Sequence, residues 1–522
     1  MNPEQVRRNV VRSTLSGYVR LIVRMGLGLV TFRLLYQGLD AEEFGFWSLL
    51  WAIFGYGILL DFGFGYAAQK RVAELSVRAD WNELSRVLSS IVGFYALAAF
   101  VAVAVGILFS GPLIDLFQVS ASRREEFRTI LMIFLIGIGV AFPLGVFPEI
   151  LQGQQRLILA NNLALATNVA NFLCVLLVVR FHLGFLTLVI LSLAGVVIPY
   201  FVALVLALRA LPGVRLRPAY FSRGTLFHTG KFSLYAYLNM LGNVMRNKAD
   251  QPVISSILGV AAITPYQAGG KIGEMFGQLT KQIADVLSPT AAHLHAKGDR
   301  AALRDMLIGG MRYSILLATP LYILCAAYMG GLIRILTGVK DPTAEMQWVG
   351  QLLLFWHYSL VLTHWVFKRM FLMAGQERRM MQQGVAEAVC NLALSISLTV
   401  WLRSIVGVAL GSVVPTVLFG WILLWGWASH EAGLSRWALF RRVVIPAWTG
   451  CLPMIAAAAA LRYQPWWHSG SNTLLVLAEG SAVGAVGLAG LWRFGLDPEG
   501  RDRLVTKFGS RFRRATPAAS TP

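Results

Sequence analysis

The sequence contains little charge, and the charge it has is short of acid. Only 14% of its 522 residues are charged, and 26 Asp and Glu stand against 46 Lys and Arg. Hydrophobic residues make up 56% of the chain and the mean hydropathy is +0.62. Apolar runs recur along nearly the whole length, and they are continuous rather than alternating. The pattern predicts an all-α polytopic membrane protein and argues against a β-barrel.

Cysteine and enzyme signatures are also scarce. The four cysteines (Cys174, Cys325, Cys390 and Cys451) all lie in predicted spans, without the spacing of a metal site or a disulfide framework. The sequence has no P-loop, no nucleophile elbow and no paired-His motif. Residues Gly63–Ala68 match G-x-G-x-x-A, but they follow no strand, so close helix packing is the favoured interpretation. We therefore expect a transporter with no cofactor and no metal, and not an enzyme.

The apolar runs predict fourteen membrane spans. They cover roughly residues 14–38, 44–69, 87–109, 127–151, 157–179, 186–208, 231–257, 265–290, 308–330, 346–373, 384–402, 406–428, 446–461 and 473–492. The thirteenth span is the shortest of them.

Basic residues are distributed unevenly between the two sides of these spans. The side that holds both termini and the even-numbered loops has 28 Lys and Arg, and the other side has 7. Positive residues accumulate on the cytoplasmic side, so both termini are predicted to be cytoplasmic. The excess of basic residues then reflects topology and attraction to the lipid bilayer, and no nucleic acid is expected as a partner.

Two short segments recur along the chain at similar spacing. Arg78-Ala79-Asp80 is repeated as Lys297-Gly298-Asp299, an offset of 219 residues, and Gly153-Gln154-Gln155-Arg156 as Gly375-Gln376-Glu377-Arg378, an offset of 222. Six spans per repeat give both halves the same orientation, which predicts a pseudo-twofold axis along the membrane normal. The predicted domains are an N-terminal lobe (1–208), a cytoplasmic linker (209–230), a C-terminal lobe (231–428), two extra helices (429–492) and a basic cytoplasmic tail (493–522).

Four predicted spans carry polar stripes within an arc of roughly 80° of an ideal helix, or on a shared face. The stripes are Ser13, Gly17, Arg20, Arg24, Gly28 and Thr31 on the first span; Tyr235, Asn239, Asn243, Arg246 and Asp250 on the seventh; Lys271, Glu274, Gln278, Lys281 and Asp285 on the eighth; and His357, His364 and Lys368 on the tenth. Lys248 lies about 160° away from Arg246 around the helix. Ionisable groups inside a bilayer are costly and usually face a bundle interior or a wet cavity.

The stripes are mostly basic, which predicts an anion site with phosphate as the natural ligand. The candidate ligands for a diphosphate are Arg20, Arg24, Arg246 and Lys271. The secondary candidates for the cavity are Asp61, Asn239, Asn243, Lys248, Asp250, Glu274, Lys281, Asp285, His357, His364 and Lys368. An alternative is internal ion pairing, since Lys271–Glu274 and Lys281–Asp285 have the spacing of helix neighbours. Asp61 or Glu149 would be partners for the first-span arginines from other helices.

Several segments resemble a known family of transporters. Glu43–Leu49, Leu60–Gly65, Lys70-Arg71 and Leu151–Arg156, followed by Asn162, Asn168 and Asn171, resemble Wzx-type O-antigen and polysaccharide flippases of the multidrug/oligosaccharidyl-lipid/polysaccharide (MOP) exporter superfamily. The resemblance implies two six-helix lobes around a cavity with alternating access in a bacterial inner membrane. It implies as substrate an undecaprenyl-diphosphate-linked oligosaccharide that moves to the outer leaflet, with a polysaccharide polymerase and chain-length machinery as further partners.

Three other functions stay open at this point. A drug or cation antiporter of the same fold would favour carboxylates and aromatics in its cavity. A membrane-embedded glycan polymerase or ligase would usually need a large extracytoplasmic loop, whereas the longest predicted outer loops (110–126 and 331–345) are short. A scaffold without transport is the third.

The charge asymmetry makes the topology testable by cysteine labelling of intact cells. We expect a cysteine at position 215 to be protected from an impermeant thiol reagent and a cysteine at position 340 to react, because the positive-inside rule places them on opposite sides. Labelling at 215 with protection at 340 would contradict the predicted orientation.

Overall fold

A computed structural model describes residues 23–229, 234–462 and 473–496, together with Pro498 and Arg501. These residues are almost entirely helical, and no strand occurs among them. The helices of the first half are α1 (23–38), α2 (Ala41–Tyr56), α3 (Phe64–Val77), α4 (Trp81–Leu108), α5 (Ser110–Leu116), α6 (Arg124–Leu144), α7 (Val146–Gly153), α8 (Leu157–Phe181), α9 (Phe185–Ala210) and α10 (Arg223–Thr229).

The second half continues with the same kind of helices. They are α11 (Leu234–Lys248), α12 (Asp250–Leu258), α13 (Ile263–Ala296), α14 (Arg300–Ala327), α15 (Met329–Thr337), α16 (Ala344–Thr363), α17 (Trp365–Met373), α18 (Glu377–Leu402), α19 (Ile405–Leu418), α20 (Trp425–Glu431), α21 (Arg436–Val443), α22 (Ile445–Arg462) and α23 (Thr473–Gly490). By internal contacts the chain forms unit 1 (Met1–Ala268, Leu336–Gly338 and Glu377–Ser412) and unit 2 (Gly269–Ile335, Val339–Gln376 and Val413–Pro522).

Unit 1 has its core where α3, α4, α7 and α9 meet. Val72, Leu84, Ile91 and Leu151 are fully buried there. A Cβ atom at Gly153 would lie 2.5 Å from the carbonyl oxygen of Gln69, so α7 approaches the α3 backbone as closely as a glycine allows. Close approach through small residues is how helices gain packing energy in a membrane, where burial of apolar surface contributes little.

The predicted linker is attached to α4 by a row of serines. Ser85 and Ser89 accept hydrogen bonds from the backbone N–H groups of Arg215 (3.0 Å) and Arg217 (3.2 Å). Ser90 accepts one from Ser222 at 3.0 Å. The irregular backbone after α9 thus finds its hydrogen bonds on the neighbouring helix, which a loop without secondary structure needs.

Unit 2 packs its last helices through small residues. A Cβ atom at Gly490 on α23 would lie 2.3 Å from the carbonyl oxygen of Gly450 on α22. Met454 and Val483 are buried in the cluster that these helices form with Tyr328, which follows α14. The two helices beyond the repeat are therefore integral parts of unit 2.

The backbone confirms the internal repeat and corrects one register. Ala79 (φ 53°) and Gly298 (φ 70°) adopt the same left-handed conformation 219 residues apart, and the next residues, Asp80 and Asp299, cap α4 and α14. In the second loop Gln155 (φ 60°) corresponds to Gly375 (φ 75°), so the offset there is 220. The 222-residue offset of the sequence match was wrong by two residues, because four letters align by chance while the turn geometry does not.

Several predicted spans are broken helices. The fourth is interrupted at Gly145 and the tenth at His364, again 219 residues apart. The second was predicted as one span, but after α2 it forms a 3₁₀ turn and passes through left-handed residues at Phe62 (φ 47°) and Gly63 (φ 79°). The seventh breaks at Ala249, because the ring of Pro252 prevents a hydrogen bond to the carbonyl of Lys248.

Among the described residues, nine helices are long and apolar enough to cross a membrane, or ten if the bent pair α21–α22 counts as one. The first, seventh, eighth and tenth predicted spans are absent from this set. The described part of the first span (23–38) is too short to be assessed, and in the other three spans the charges of the polar stripes and the helix breaks lower the hydropathy of any continuous window. The number fourteen stays a prediction.

At the predicted extracytoplasmic end of unit 1, α2 contacts the segment that connects α12 to α13. A Cβ atom at Gly45 would lie 2.0 Å from the carbonyl oxygen of Val260. Thr264 donates a hydrogen bond to the carbonyl of Ala41 at 2.6 Å. This end of unit 1 therefore joins residues from both sequence repeats.

The fit at Gly45 predicts a stability difference between two glycine substitutions. We expect Gly45→Ala to lower the thermal unfolding temperature of the purified protein by several degrees, because the methyl group has no space beside Val260. A Cβ atom at Gly26 on α1 meets nothing within 4 Å. Gly26→Ala should leave that temperature unchanged or raise it, since alanine is the better helix former by about 1 kcal/mol. Equal effects would contradict the close contact.

Candidate functional site

A buried ion pair in unit 1 joins α11 to α18. The Arg246 guanidinium lies 3.2 Å from the Glu387 carboxylate, and their side chains are 11% and 0% exposed. Gln383 donates a hydrogen bond to the second carboxylate oxygen at 2.6 Å, and Arg246 donates one to Asn243 at 3.0 Å. Arg246 is therefore neutralised within the protein, although its Nε atom is buried without a hydrogen-bond partner.

A second carboxylate lies just beyond, at the break of the seventh span. Asp250 begins α12, where the positive end of the helix dipole favours its negative charge. Tyr266 donates a hydrogen bond to Asp250 at 2.5 Å. Nearby on α18, Asn391 donates to Ser412 at 3.0 Å. The polar stripe of the seventh span thus packs against polar groups of the same unit.

The break in the second span holds Asp61 close to another acid. The carboxylate accepts hydrogen bonds from the backbone N–H of Gly65 at 2.9 Å and from the hydroxyl of Tyr95. Asp61 Oδ1 and Glu149 Cγ both lie within 4 Å of the position that a Cβ atom would take at Gly65. Asp61 and Glu149 are thus neighbours, and Asp61 is held by a hydroxyl and a backbone amide.

The seventh span also contacts this break directly. The Phe62 ring stacks on Tyr237 at 5.0 Å between centroids, and the Tyr237 hydroxyl donates to the carbonyl of Leu59 at 3.1 Å. Helix α11 therefore contacts both the buried pair partner Glu387 and the break of the second span.

In unit 2 the eighth-span charges are mostly paired. Lys271 Nζ lies 2.8 Å from Glu274, as the helix spacing predicted. The ion-pairing alternative would join Asp285 to Lys281, but its partner is Arg369 on α17, at 2.6 Å. Lys281 is exposed. The second pair of that alternative does not form, because a neighbouring helix brings a guanidinium closer than the same helix brings an ammonium.

The tenth-span histidines are packing residues in this structure. His357 fits into a groove made by glycines of α13: a Cβ atom at Gly277 would lie 2.3 Å from its ring. Its Nδ1 donates to the carbonyl of Leu353 at 2.8 Å. His364 is 1% exposed and hydrogen-bonds Thr363 at 2.7 Å, at the break that ends α16. The break means that His364 and Lys368 do not continue the face of one straight helix.

The other predicted site residues are placed as follows. Arg24 and Gly28 are exposed on α1, Thr31 is half-buried there, the Lys248 stem packs on Gly55, and Gln278 donates to Glu274 at 3.3 Å. Ser13, Gly17 and Arg20 and the side chains of Tyr235 and Asn239 lie outside the described residues. No group of three metal-ligating side chains occurs in the part of the chain that the structure describes.

Glu387 and Arg369 were not predicted as site residues. Glu387 had a visible signal, since it is a carboxylate within the apolar run of the eleventh span, and such a residue usually has a partner. The partner itself was not visible, because nothing in the periodicity of α11 or α18 indicates which faces meet.

Comparison with known proteins identifies the family of this chain and its fold. The family model described as polysaccharide biosynthesis protein matches residues 8–295, more than half of the chain. A search of curated proteins finds none that matches this chain. Among solved structures, the chain is similar to the lipid II flippase MurJ in an inward closed conformation, with 15% identity and a TM-score of 0.70 over 91% of this chain and 98% of that one.

Two further structures extend this similarity. A multidrug resistance MATE family transporter of the MOP superfamily, in an inward-facing conformation, is 13% identical with a TM-score of 0.64 over 81% of this chain and 99% of that one. A MOP superfamily transporter from Pyrococcus furiosus is 14% identical with a TM-score of 0.55 over 80% and 95% of the two chains. At such identities the similarity shows the fold, and it confirms the predicted all-α fold of this superfamily.

The buried ion pair predicts a characteristic pattern of stabilities. We expect Arg246→Ala to destabilise the protein by about 3–5 kcal/mol, because it leaves the Glu387 carboxylate buried and unpaired. Replacing both residues by Arg246→Met and Glu387→Leu should recover most of that loss. Thermal unfolding of the purified variants measures this.

A surface pair provides the control for this comparison. Lys70 and Glu74 are 3.9 Å apart, with side chains 66% and 42% exposed. Lys70→Ala should cost less than about 1 kcal/mol. If Arg246→Ala were as mild as Lys70→Ala, the pair would not hold α11 to α18. If the stable double variant failed to transport, the charges would have a role in transport beyond stability.

Proposed function

Because this chain belongs to the polysaccharide biosynthesis protein family, we propose that it is a Wzx-type flippase. It moves an undecaprenyl-diphosphate-linked oligosaccharide from the cytoplasmic to the outer leaflet of a bacterial inner membrane. The family match and the similarity to a lipid II flippase fold support the substrate class. They also make transport a better explanation than polymerase or ligase chemistry.

The position of Arg24 is the structural feature on which this proposal rests. It lies on α1, whose described residues 23–38 include no Asp or Glu, and its side chain is exposed. A guanidinium inside a membrane faces a wet cavity or a ligand, because exposure to lipid tails is costly. The planar guanidinium binds phosphate through two parallel hydrogen bonds, which suits the diphosphate of a lipid carrier.

The polar stripe suggested Arg246 as a ligand of the diphosphate, but we assign it a structural role. Its charge is already balanced by Glu387 at 3.2 Å. A diphosphate would have to displace that carboxylate, which is fully buried. Arg246 therefore holds α11 in place and Arg24 contacts the substrate.

The membrane potential provides a driving force for such a reaction. The cytoplasm is electrically negative, so outward movement of an anion is favoured by about 2.3 kcal/mol per charge per 100 mV. We propose that this potential, rather than a proton gradient, drives transport. In a proton-driven transporter, His357, His364, Glu274 and Asp285 would be the candidate proton carriers, but their contacts in the structure are those of packing and paired groups.

A cation antiporter is the second candidate, and one specific observation favours it. Asp61 and Glu149 are neighbouring carboxylates at the breaks of two spans, beside Gly65. Such a pair would suit a cationic substrate or a coupling ion better than a diphosphate. The two functions differ in which substrate crosses the membrane, so one reconstitution distinguishes them.

The proposal is tested by flipping of a fluorescent undecaprenyl-diphosphate-linked sugar in vesicles that contain the purified protein. We expect flipping to follow a potential set with valinomycin, to fall at least tenfold in Arg24→Ala, and to recover partly in Arg24→Lys, because a lysine loses the two-pronged contact. Arg180 on α8 is exposed, and Arg180→Ala serves as the control with unchanged flipping.

Two results would contradict the proposal. Absence of flipping, together with exchange of organic cations, would identify the antiporter. Flipping that does not depend on the potential but follows an imposed pH step would support the proposed substrate and contradict the proposed driving force.

A further inference from the structure

Unit 2 contains a cavity that none of the predicted site residues lines. It lies where α14 ends and α15 begins, with α16 and α23 completing its walls, and its volume is about 420 Å³. The predicted topology places this end of the helices on the extracytoplasmic side. We call it the α23 cavity, lined in part by Arg334, Asp341, Gln347, Gln351 and Glu479.

Two glutamines on α16 are fixed in orientation at the wall. Gln351 donates from its amide nitrogen to the carbonyl of Ala326 at 2.8 Å, and Gln347 donates to the carbonyl of Pro342 at 3.0 Å. These bonds use the amide nitrogens to hold the side chains, so the carbonyl oxygens are the atoms left to serve as acceptors. Positioned acceptors of this kind recognise ligands that donate hydrogen bonds.

Glu479 is the charged residue that α23 contributes to the cavity. It is the one ionisable residue in the otherwise uncharged α23, and it lines the cavity in a half-buried position. An ionisable residue in a membrane helix usually faces a cavity and marks a functional site. Its carboxylate adds two strong acceptor oxygens to those of the glutamines.

The charges of the cavity disfavour an anion. Arg334 lies 3.8 Å from Asp341, so its positive charge is partly balanced, and Glu479 adds a further negative charge. A phosphate or diphosphate would meet two carboxylates and one guanidinium. The cavity is therefore suited to a neutral or amino-bearing ligand with many hydroxyl groups.

Close packing of α23 creates this site. A Cβ atom at Gly331 on α15 would lie 3.0 Å from Val476 of α23, so the glycine lets the helix reach the turn after α14. The helix α23 follows the two repeats, and the site therefore depends on a segment outside them. The volume falls in the range of small-molecule sites and exceeds what a single ion requires.

We propose that the α23 cavity binds a sugar residue of the transported glycan on the extracytoplasmic side. This inference rests on the proposed function, since it assigns the ligand to the glycan part of that substrate. The fixed amide oxygens and Glu479 accept hydrogen bonds from sugar hydroxyls, and Arg334 donates to ring or hydroxyl oxygens. Recognition of the sugar is then separate from recognition of the diphosphate.

Binding of soluble sugars to the full-length protein in lipid nanodiscs tests the cavity directly. Saturation-transfer NMR with N-acetylglucosamine and with glucose should detect binding of at least one of them in the millimolar range. Ala326→Phe, which fills the cavity, should abolish that signal. Glu479→Gln, which keeps the shape, should weaken binding about tenfold, because a charge-assisted hydrogen bond is replaced by a weaker one.

Two controls separate this site from other effects. Glu431 is an exposed carboxylate at the end of α20 in the same unit, and Glu431→Gln should leave sugar binding unchanged. Inorganic pyrophosphate should not displace the sugar. Thermal unfolding of each variant shows whether the fold is kept, and Glu479→Gln provides the test if Ala326→Phe does not fold.

The possible outcomes distinguish this inference from the proposed function. Absence of sugar binding in the unmodified protein, equal binding in the unmodified protein and both cavity variants, or displacement by pyrophosphate would overturn the cavity proposal, even if flipping were observed. Sugar binding that depends on Glu479, in a protein that does not flip lipid-linked sugars, would uphold the cavity and reject the flippase.

Discussion

The cost of placing a charge in a membrane is the constraint on which this structure depends. The ion pair of Arg246 with Glu387, 3.2 Å apart, offsets that cost. Gln383 donates a further hydrogen bond to Glu387, and Arg246 donates one to Asn243. A pair of this kind contributes little net stability compared with apolar residues, but it strongly penalises any arrangement that separates the two charges. It therefore specifies which faces of α11 and α18 meet, which apolar packing in lipid would leave less defined.

The same constraint explains where the helices break. Unpaired backbone groups are tolerated at membrane depth only where protein or water satisfies them. At the break of the second span, the freed N–H of Gly65 is bound by Asp61 at 2.9 Å. At the break of the tenth, the backbone N–H groups of His364 and Lys368 still reach backbone carbonyls, and the side chains of His364 and Thr363 hydrogen-bond each other at 2.7 Å. At both of these breaks, polar side chains therefore lie beside the interrupted helix.

The proposed functional chemistry is divided between separate parts of the chain. Arg24 on α1 offers a cation without an acid on its own helix, whereas the α23 cavity offers acceptors and an excess of carboxylates. A lipid-linked glycan has a charged diphosphate at one end and neutral sugars at the other. The two kinds of site match these two chemistries, and the match unites the proposed function with the inference about the cavity.

Much of the fold could be predicted from the sequence, because it depends on local physics. Apolar length indicates spans, and turn geometry repeats with the residues that allow it, as at Ala79 and Gly298 (φ 53° and 70°). The Lys271–Glu274 pair could also be predicted from the sequence, since the helical period determines which residues of one helix are neighbours. Family resemblance extended this to the superfamily fold.

Tertiary structure alone decided which side chains from different helices meet. Arg246 pairs with Glu387 and Asp285 with Arg369, and in each case the partner lies on another helix. Helical periodicity defines the direction of a side chain around its own axis, but not the rotation or depth of the neighbouring helix. For the same reason the α23 cavity could not be located from the sequence, although Glu479 is a carboxylate in an apolar span: its wall combines residues of α15, α16 and α23, and their proximity depends on how closely glycines let those helices pack.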